Sequence, residues 1–230
     1  MAPDEFEKVP SLEEILAEVS QADAAAVEET PPEQIRQKEP ETTWRDSMML
    51  YLHDIICLLA ALIVVFVLLF RVVVVSGSSM YSTLWSGDYL LVLSSTFSGE
   101  PQYGDVIVAS KDSFNDGEPI IKRVIATEGQ VVDIDFQSGI VYVDGVALEE
   151  SYTFTSTNVS EGMEFPLTVE EGCVFAMGDN RNRSRDSRYP DIGQIDEREI
   201  LGQALFLFFP GRGEGEYGGD RDFSRIGVLK

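Results

Sequence analysis

An uninterrupted apolar run of 16 residues, from Ile55 to Phe70, constrains the fold of this chain more than any other feature of its sequence. Residues 48–52 extend the run toward the N-terminus, so that it reaches the roughly 20 residues a helix needs to cross a bilayer. Arg71 interrupts its far end, where a long side chain can reach toward the lipid headgroups. We therefore expect residues 48–71 to form a transmembrane helix.

The basic residues that flank this run predict its orientation. Arg36, Lys38 and Arg45 precede it, whereas no lysine or arginine lies between residues 76 and 95. Because cytoplasmic flanks carry an excess of basic residues, we expect the N-terminus in the cytoplasm and the rest of the chain outside the cell membrane.

A cleavable signal peptide is the alternative interpretation of the same run. Such a peptide has a basic start and a shorter apolar core, whereas residues 1–47 carry 13 acidic and 4 basic side chains. Small residues at 76–78 leave cleavage there open. We favour an uncleaved anchor, preceded by an acidic and mostly disordered cytoplasmic tail over residues 1–47.

Composition excludes several classes of function. A net charge of −23 argues against nucleic acid as a partner, because binding to phosphates is driven by cationic side chains. With two cysteines, Cys57 and Cys173, and one histidine, His53, a His/Cys zinc site and a disulfide framework are not expected. The sequence implies no cofactor.

The remainder of the chain, residues 72–230, has the pattern of an antiparallel β domain. Short segments rich in β-branched and aromatic residues alternate with Gly, Pro, Asp, Asn and Ser. The predicted strands are residues 89–93, 106–108, 120–125, 131–134, 140–143, 173–177 and 205–209. We expect a mainly β fold carried on one N-terminal transmembrane helix. A Gly- and charge-rich loop at 211–222 is expected to have no catalytic meaning.

A serine enzyme built on this sequence needs a base other than histidine. His53 lies at the cytoplasmic edge of the predicted span, so no Ser-His-Asp triad can form in the outer domain. A lysine can replace it only if burial lowers its pKa from about 10.4 by roughly 3–5 units. Lys122 lies in an apolar strand, although periodicity leaves open whether Lys122 or Arg123 faces inward. Ser79 follows Gly77 in a predicted turn, but a loop serine alone is a weak signal.

Four segments together resemble the successive conserved boxes of the bacterial type I signal peptidases, in the order of that family. They are Ser79-Met80 with Thr83-Leu84, residues 104–108, residues 121–124 and the long box Gly178-Asp-Asn-Arg-Asn-Arg-Ser-Arg-Asp-Ser-Arg188. The resemblance continues through residues 139–145 with Glu150 and Tyr152, and ends at residues 223–227. Two departures are Ser82, where the family usually has proline, and residues 126–129, where it commonly has Gly-Leu-Pro-Gly.

This resemblance implies a Ser-Lys dyad. It makes Ser79 the nucleophile, Lys122 an inward-facing general base, and Ser184 the residue that orients the lysine amine. The Ser79 backbone N–H is expected to donate to the oxyanion. Gly77 stands where some members carry a second oxyanion serine. The glycine at this position resembles Gram-positive-type members, and it leaves the second donor unidentified.

The other matching residues are expected to give structural support. An ionised carboxylate against Lys122 would raise the lysine pKa, so we expect Asp186 to pair with an arginine, most simply Arg188. The supporting set is Gly77, Met80, Gly178, Asp179, Asn180, Arg181, Asp186 and Arg188.

The function implied is removal of N-terminal signal peptides from exported preproteins at the membrane surface, through an acyl-enzyme and after small residues. Two other classes compete. A non-catalytic β module that binds exported chains does not account for the serine, lysine and long box together. A self-cleaving Ser-Lys repressor needs a DNA-binding domain, which this sequence lacks. The sequence does not indicate an oligomeric state.

Overall fold

The computed structural model describes residues 12–13, 16–17, 44–111, 114, 117–213 and 217–229. Most of the predicted acidic tail and residues 214–216 of the charged loop lie outside these ranges. The prediction of a disordered tail therefore falls almost entirely on residues that the structure does not describe.

Helix α1, Trp44–Leu69, contains the apolar run. Its segment Ser47–Leu69 has a mean hydropathy of 2.8, and none of it is buried against the rest of the chain, so it is long and apolar enough to cross a membrane. The predicted far boundary at residue 71 is wrong. Phe70 and Arg71 belong to a strand, where they pair with Leu93 and Val92.

Twelve strands follow the helix within the described ranges. They are β1 Phe70–Val74, β2 Tyr89–Ser94, β3 Val106–Ala109, β4 Ile120–Thr127, β5 Val131–Asp135, β6 Ile140–Val143, β7 Val146–Ala147, β8 Leu167–Thr168, β9 Cys173–Met177, β10 Ile195–Asp196, β11 Ile200–Phe209 and β12 Gly227–Val228. One turn of helix, α2, spans Ser95–Ser98. All the strand pairs are antiparallel, which confirms the predicted mainly β fold.

The strands form two sheets. The larger has the order β1-β2-β11-β3-β4-β9-β10, with β12 paired to β11, and the smaller has the order β7-β6-β5-β8. Strand β4 lies inside the larger sheet, between β3 and β9, and six of its eight residues are buried. Such a position, buried on both faces, explains why its sequence is nearly continuous in apolar residues.

Three apolar clusters fill the interior, and β4 contributes to each of them. Ile121 packs with Met80 in one, Ile125 with Phe175 in a second, and Val124 in a third. The turn that carries Ser79 and strand β4, which carries Lys122, therefore share one packed core. This packing fixes the separation of Ser79 and Lys122.

Candidate active site

The side chains of Ser79 and Lys122 meet in the structure. The Lys122 Nζ atom lies 3.1 Å from Ser79 Oγ, and Nζ also donates to the Ile121 carbonyl at 2.9 Å. Lys122 is only 4% exposed. The two residues lie 43 positions apart in the sequence, so the fold, not local structure, creates this contact.

Burial lowers the pKa of Lys122 to about 8, because a desolvated ammonium loses the stabilisation that water gives its charge. The carboxylates of Asp186 and Asp179 oppose this effect and raise the pKa, while the Arg188 guanidinium lowers it. A pKa near 8 leaves a useful fraction of neutral amine at ordinary pH, which a general base requires.

The turn that carries Ser79 is held by backbone hydrogen bonds. After β1, the Val75 N–H donates to Asp88 O and the Gly87 N–H donates to Val75 O, at 2.9 and 2.8 Å. Gly77 has a φ of +85°, a conformation that favours glycine. Met80 is 2% exposed and anchors the far side of the turn in the core.

Gly178 allows the long box to approach this turn closely. A Cβ at position 178 would lie 2.2 Å from Ser184 Oγ and 2.5 Å from the Ser79 carbonyl oxygen. Only a residue without a side chain fits between them, so the glycine has a steric reason in this structure.

Ser184, the predicted lysine-orienting residue, is 2% exposed. Its Oγ has no hydrogen-bond partner among the described residues, and the bonds of Lys122 Nζ go to Ser79 and Ile121 instead. The structure therefore brings Ser184 beside the nucleophile turn without a direct bond to the lysine. Its role stays a prediction.

Buried ion pairs lie around Lys122. Asp186 pairs with Arg188 at 2.8 Å, both completely buried, which confirms the predicted partner. Asp179 pairs with Arg123 at 2.8 Å, also without exposure, and accepts a hydrogen bond from Thr83 at 2.6 Å. Each aspartate that faces the lysine is thus neutralised by its own arginine.

Sequence reasoning missed the roles of Arg123 and Glu150. The first pairs with Asp179, and the second holds the Arg181 guanidinium at 2.5 Å. Arg123 is completely buried, next to a buried lysine. The available signal was an arginine inside a run of apolar residues, because a buried guanidinium needs a carboxylate partner.

A cavity of about 350 Å³ lies beside Ser79 and Lys122. It is lined by residues 73–76, 79–80 and 118–122, which belong to the end of β1, the turn that carries Ser79 and the start of β4. Valine and isoleucine side chains form much of its wall. No group of three or more His, Cys, Asp or Glu side chains within the described ranges could hold a metal ion.

Residues 48–209 match the family model described as signal peptidase, peptidase S26. The chain belongs to the signal peptidase family. A probable signal peptidase I-1 of Synechocystis sp. is 37% identical over 179 residues, 72% of this chain and 86% of the relative. A signal peptidase I of Bacillus licheniformis is 31% identical over 181 residues, 75% of this chain and 95% of the relative.

A solved signal peptidase I from Enterococcus faecalis is 32% identical to this chain, covers 45% of it and 96% of that structure, and superposes with a TM-score of 0.37. Membership of the S26 signal peptidases makes this chain a serine peptidase and a hydrolase whose family removes signal peptides from preproteins. The resemblance of the conserved boxes is thereby confirmed at the level of the family.

Proposed function

We propose that this signal peptidase cleaves preproteins with a Ser79–Lys122 dyad. The observation that carries the proposal is the 3.1 Å contact between Ser79 Oγ and the Nζ of a buried lysine. At this distance the hydroxyl can donate to the lone pair of a neutral amine, which gives the geometry of a nucleophile beside its base.

In the first half-reaction, neutral Lys122 takes the Ser79 proton as Oγ attacks the carbonyl carbon of the scissile bond. The Ser79 N–H stabilises the resulting oxyanion. The lysine ammonium then protonates the leaving amine, the C–N bond breaks, and the signal peptide stays on Ser79 as an ester. In the second half-reaction Lys122 takes a proton from water as the water oxygen attacks the ester carbonyl. The lysine ammonium then returns this proton to Ser79 Oγ as the acyl C–O bond breaks, and the signal peptide leaves with a free carboxyl end.

The cavity beside Ser79 supports apolar residues before the cut, because its wall at Val73, Val75 and Ile121 is apolar. That these residues are short, such as alanine, is proposed from the resemblance of the conserved boxes. Ser184 is proposed to orient the lysine amine, because its buried and unpartnered Oγ lies next to the Ser79 carbonyl across Gly178.

We also propose the membrane arrangement. Ser47–Leu69 is the span, residues 1–46 form a cytoplasmic tail, and the β domain from Phe70 onward is extracytoplasmic and catalytic. The basic residues before the helix support this orientation. The test is labelling of intact cells with a thiol reagent that does not cross the membrane, using single cysteines at positions 45 and 78 with Cys57 and Cys173 replaced by serine. Reaction of the cysteine at position 45 together with protection of the one at position 78 would contradict the orientation.

The experiment for the dyad is cleavage of a signal-bearing preprotein by the full chain and by Ser79→Ala, Lys122→Ala and Lys122→Arg. Each variant is expected to lose activity by at least about 10³-fold, and mass spectrometry of the wild type should show cleavage after a small residue. Activity retained by Ser79→Ala would reject the proposal and favour a different nucleophile or a contaminating peptidase.

A further inference from the structure

The side chain of Asn180 holds the peptide unit that contains the Ser79 N–H. Its Nδ2 donates to the Ser78 carbonyl at 3.1 Å, and its backbone N–H donates to the Ser79 carbonyl at 2.9 Å. Asn180 is 2% exposed. One residue of the long box therefore binds the carbonyl groups of two successive residues, Ser78 and Ser79.

The bond to the Ser78 carbonyl has a direct geometric consequence. The 78–79 peptide bond is trans, and its carbonyl oxygen and the Ser79 N–H lie in one plane and point in opposite directions. Holding the oxygen thus fixes the direction of the hydrogen. Within the described part of the chain, no group accepts a hydrogen bond from the Ser79 N–H, which leaves it open to substrate.

We propose that Asn180 is a positioning residue for the oxyanion donor: its side-chain amide sets the orientation of the 78–79 peptide unit. This inference rests on the proposed dyad mechanism. It assigns the asparagine a role in transition-state stabilisation, beyond structural support and apart from the lysine. The Tyr81 N–H also donates to the Ser78 carbonyl, at 3.1 Å, so the asparagine reinforces an existing turn.

Tyr217 completes the arrangement from the charged loop. The Tyr217 hydroxyl lies 3.4 Å from Asn180 Nδ2 and accepts from it, so the two hydrogens of the amide have two acceptors. The centroid of the Tyr217 ring lies 4.4 Å from that of the Tyr81 ring and 6.0 Å from that of the Phe154 ring. A loop expected to have no catalytic meaning therefore supplies a contact that restrains the amide.

The test compares Asn180→Ala, Tyr217→Phe and wild type in the full chain. The alanine variant keeps the backbone bond to the Ser79 carbonyl and loses the two side-chain bonds, to the Ser78 carbonyl and to the Tyr217 hydroxyl. We expect kcat to fall about 10- to 100-fold, less than for deletion of an oxyanion donor, with KM changed little. A peptide boronate, whose serine adduct carries a tetrahedral oxyanion mimic, should lose affinity by a similar factor. Tyr217→Phe should reduce kcat about threefold.

Asn158→Ala is the matched control. Asn158 also donates its side-chain amide to a backbone carbonyl, Phe136 O at 3.1 Å, but makes no contact with the nucleophile turn. Because Asn158 is exposed whereas Asn180 is buried, Asn158→Ala should lose less thermal stability than Asn180→Ala, and it should keep wild-type kcat and boronate affinity.

Two results would overturn the inference. One is an Asn180→Ala enzyme with wild-type kcat and boronate affinity. The other is a loss of kcat accompanied by a shifted pH–rate midpoint, which would mean that the asparagine acts through Lys122. Ser79→Ala separates these outcomes from failure of the dyad: if Ser79→Ala is inactive while Asn180→Ala is fully active, only the positioning role is wrong.

Discussion

At the scale of the residue, Lys122 shows how opposed effects set one protonation state. Desolvation is the largest influence on its pKa, and two aspartates act in the other direction. Because Asp186 and Asp179 each lie against a buried arginine, the field of each carboxylate at the amine is partly cancelled. The lysine pKa consequently stays near 8 although two acidic side chains lie in its vicinity.

Replacing Asp186 with asparagine is expected to move the pH–rate profile toward acid. The wild-type rate should rise with pH through about 8 as the ammonium loses its proton. Asp186 raises that pKa and Arg188 lowers it, so without the carboxylate the midpoint should fall below 8. The kcat/KM profile measures it. Asp196→Asn, at the more exposed Asp196–Arg198 pair, should leave the midpoint in place. A midpoint that stays or rises in Asp186→Asn would contradict this account.

Replacing Lys122 with methionine is expected to stabilise the folded protein while abolishing activity. The folded-state pKa is lower than the ordinary value of 10.5, so the unfolded chain binds the proton more tightly. Below about pH 8 the folded state bears the full cost of the buried ammonium, and this cost disappears as the pH rises past 10.5. A shift of this size corresponds to about 3 kcal/mol.

We therefore expect a gain of about 1–3 kcal/mol in the free energy of unfolding at pH 7, shrinking at alkaline pH. Chemical denaturation at both pH values checks it. Lys111 is the matched lysine, because it pairs with Glu199 at 3.5 Å and donates to Gln194 O at 2.7 Å. Lys111→Met should give no gain. If Lys122→Met were less stable than wild type at pH 7, the buried Lys122 ammonium would not be the source of a stability cost.

The sequence alone predicted Ser79 and Lys122 as the reacting pair through their boxes, and their 3.1 Å contact agrees with that prediction. It also predicted the Asp186–Arg188 pair. It could not predict that Tyr217 reaches Asn180, because this contact joins a loop to a box 37 residues away and no periodicity records it. Nor could it predict that Ser184 Oγ would have no hydrogen-bond partner within the described part of the chain. Side-chain direction in an irregular segment depends on packing that a linear pattern does not contain.

At the scale of the element, β4 is the strand on which the site depends. Its sequence left open whether Lys122 or Arg123 faces the interior, since each face carries isoleucine. The structure buries both residues, at 4% and 0% exposure. Alternation predicts one buried face only when the other face of the strand is in water. Strand β4 instead lies between β3 and β9, and its Ile125 packs in the cluster that includes residues of the smaller sheet. Each face therefore needs its own compensation for a charge.

Replacing Arg123 with leucine is expected to destabilise the domain strongly. The substitution leaves the Asp179 carboxylate buried with Thr83 as its remaining side-chain partner. An uncompensated buried charge costs about 3–5 kcal/mol, which urea unfolding would measure. The double variant Arg123→Leu with Asp179→Leu should recover part of the loss, because it removes both charges.

Arg198 provides the contrast for that prediction. It also pairs with an aspartate, Asp196, but its side chain is 89% exposed, so water can solvate either partner after the other is removed. Arg198→Leu should change stability little. Equal effects at Arg123 and Arg198 would show that burial does not govern the cost.

Seven of the strands were predictable and five were not. Strand β1 was hidden because its sequence, Phe-Arg-Val-Val-Val, continues the apolar run of the helix without a turn signal. β7, β8, β10 and β12 have two residues each, too few for alternation to be visible. Strand β11 begins at Ile200, five residues before its predicted start, because Gly202 and Gln203 interrupt the apolar pattern.

At the scale of the whole molecule, the helix passes into the sheet without a linker. Helix α1 ends at Leu69 and β1 begins at Phe70, and Ser79 follows β1 by a few residues. Ten residues at about 3.3 Å each limit Ser79 to roughly 33 Å from the helix end. The proposed nucleophile therefore stays close to the point where the chain leaves the proposed span.

Inserting six residues of a Gly-Ser linker between Leu69 and Phe70 is expected to affect the cleavage of membrane-inserted and of soluble substrates differently. Cleavage of a membrane-inserted preprotein should fall roughly 10-fold, because a longer tether lowers the effective concentration of the site at the bilayer surface. Cleavage of a soluble signal-peptide fragment should be unchanged, which also serves as the control for folding. Equal loss on both substrates would indicate damage to β1 rather than to the tether.

In the proposed membrane arrangement, the direct junction at Leu69 and Phe70 would also couple the enzyme to the lipid around it. Ser47–Leu69 has 23 residues and, at about 1.5 Å each, measures roughly 34 Å, against a hydrocarbon layer of about 30 Å. A helix of this length tilts in a thin membrane and stands upright in a thick one. With no slack before β1, each adjustment would change the height of the proposed nucleophile above the headgroups. Acyl-chain length would thereby help to determine which peptide bonds Ser79 can reach.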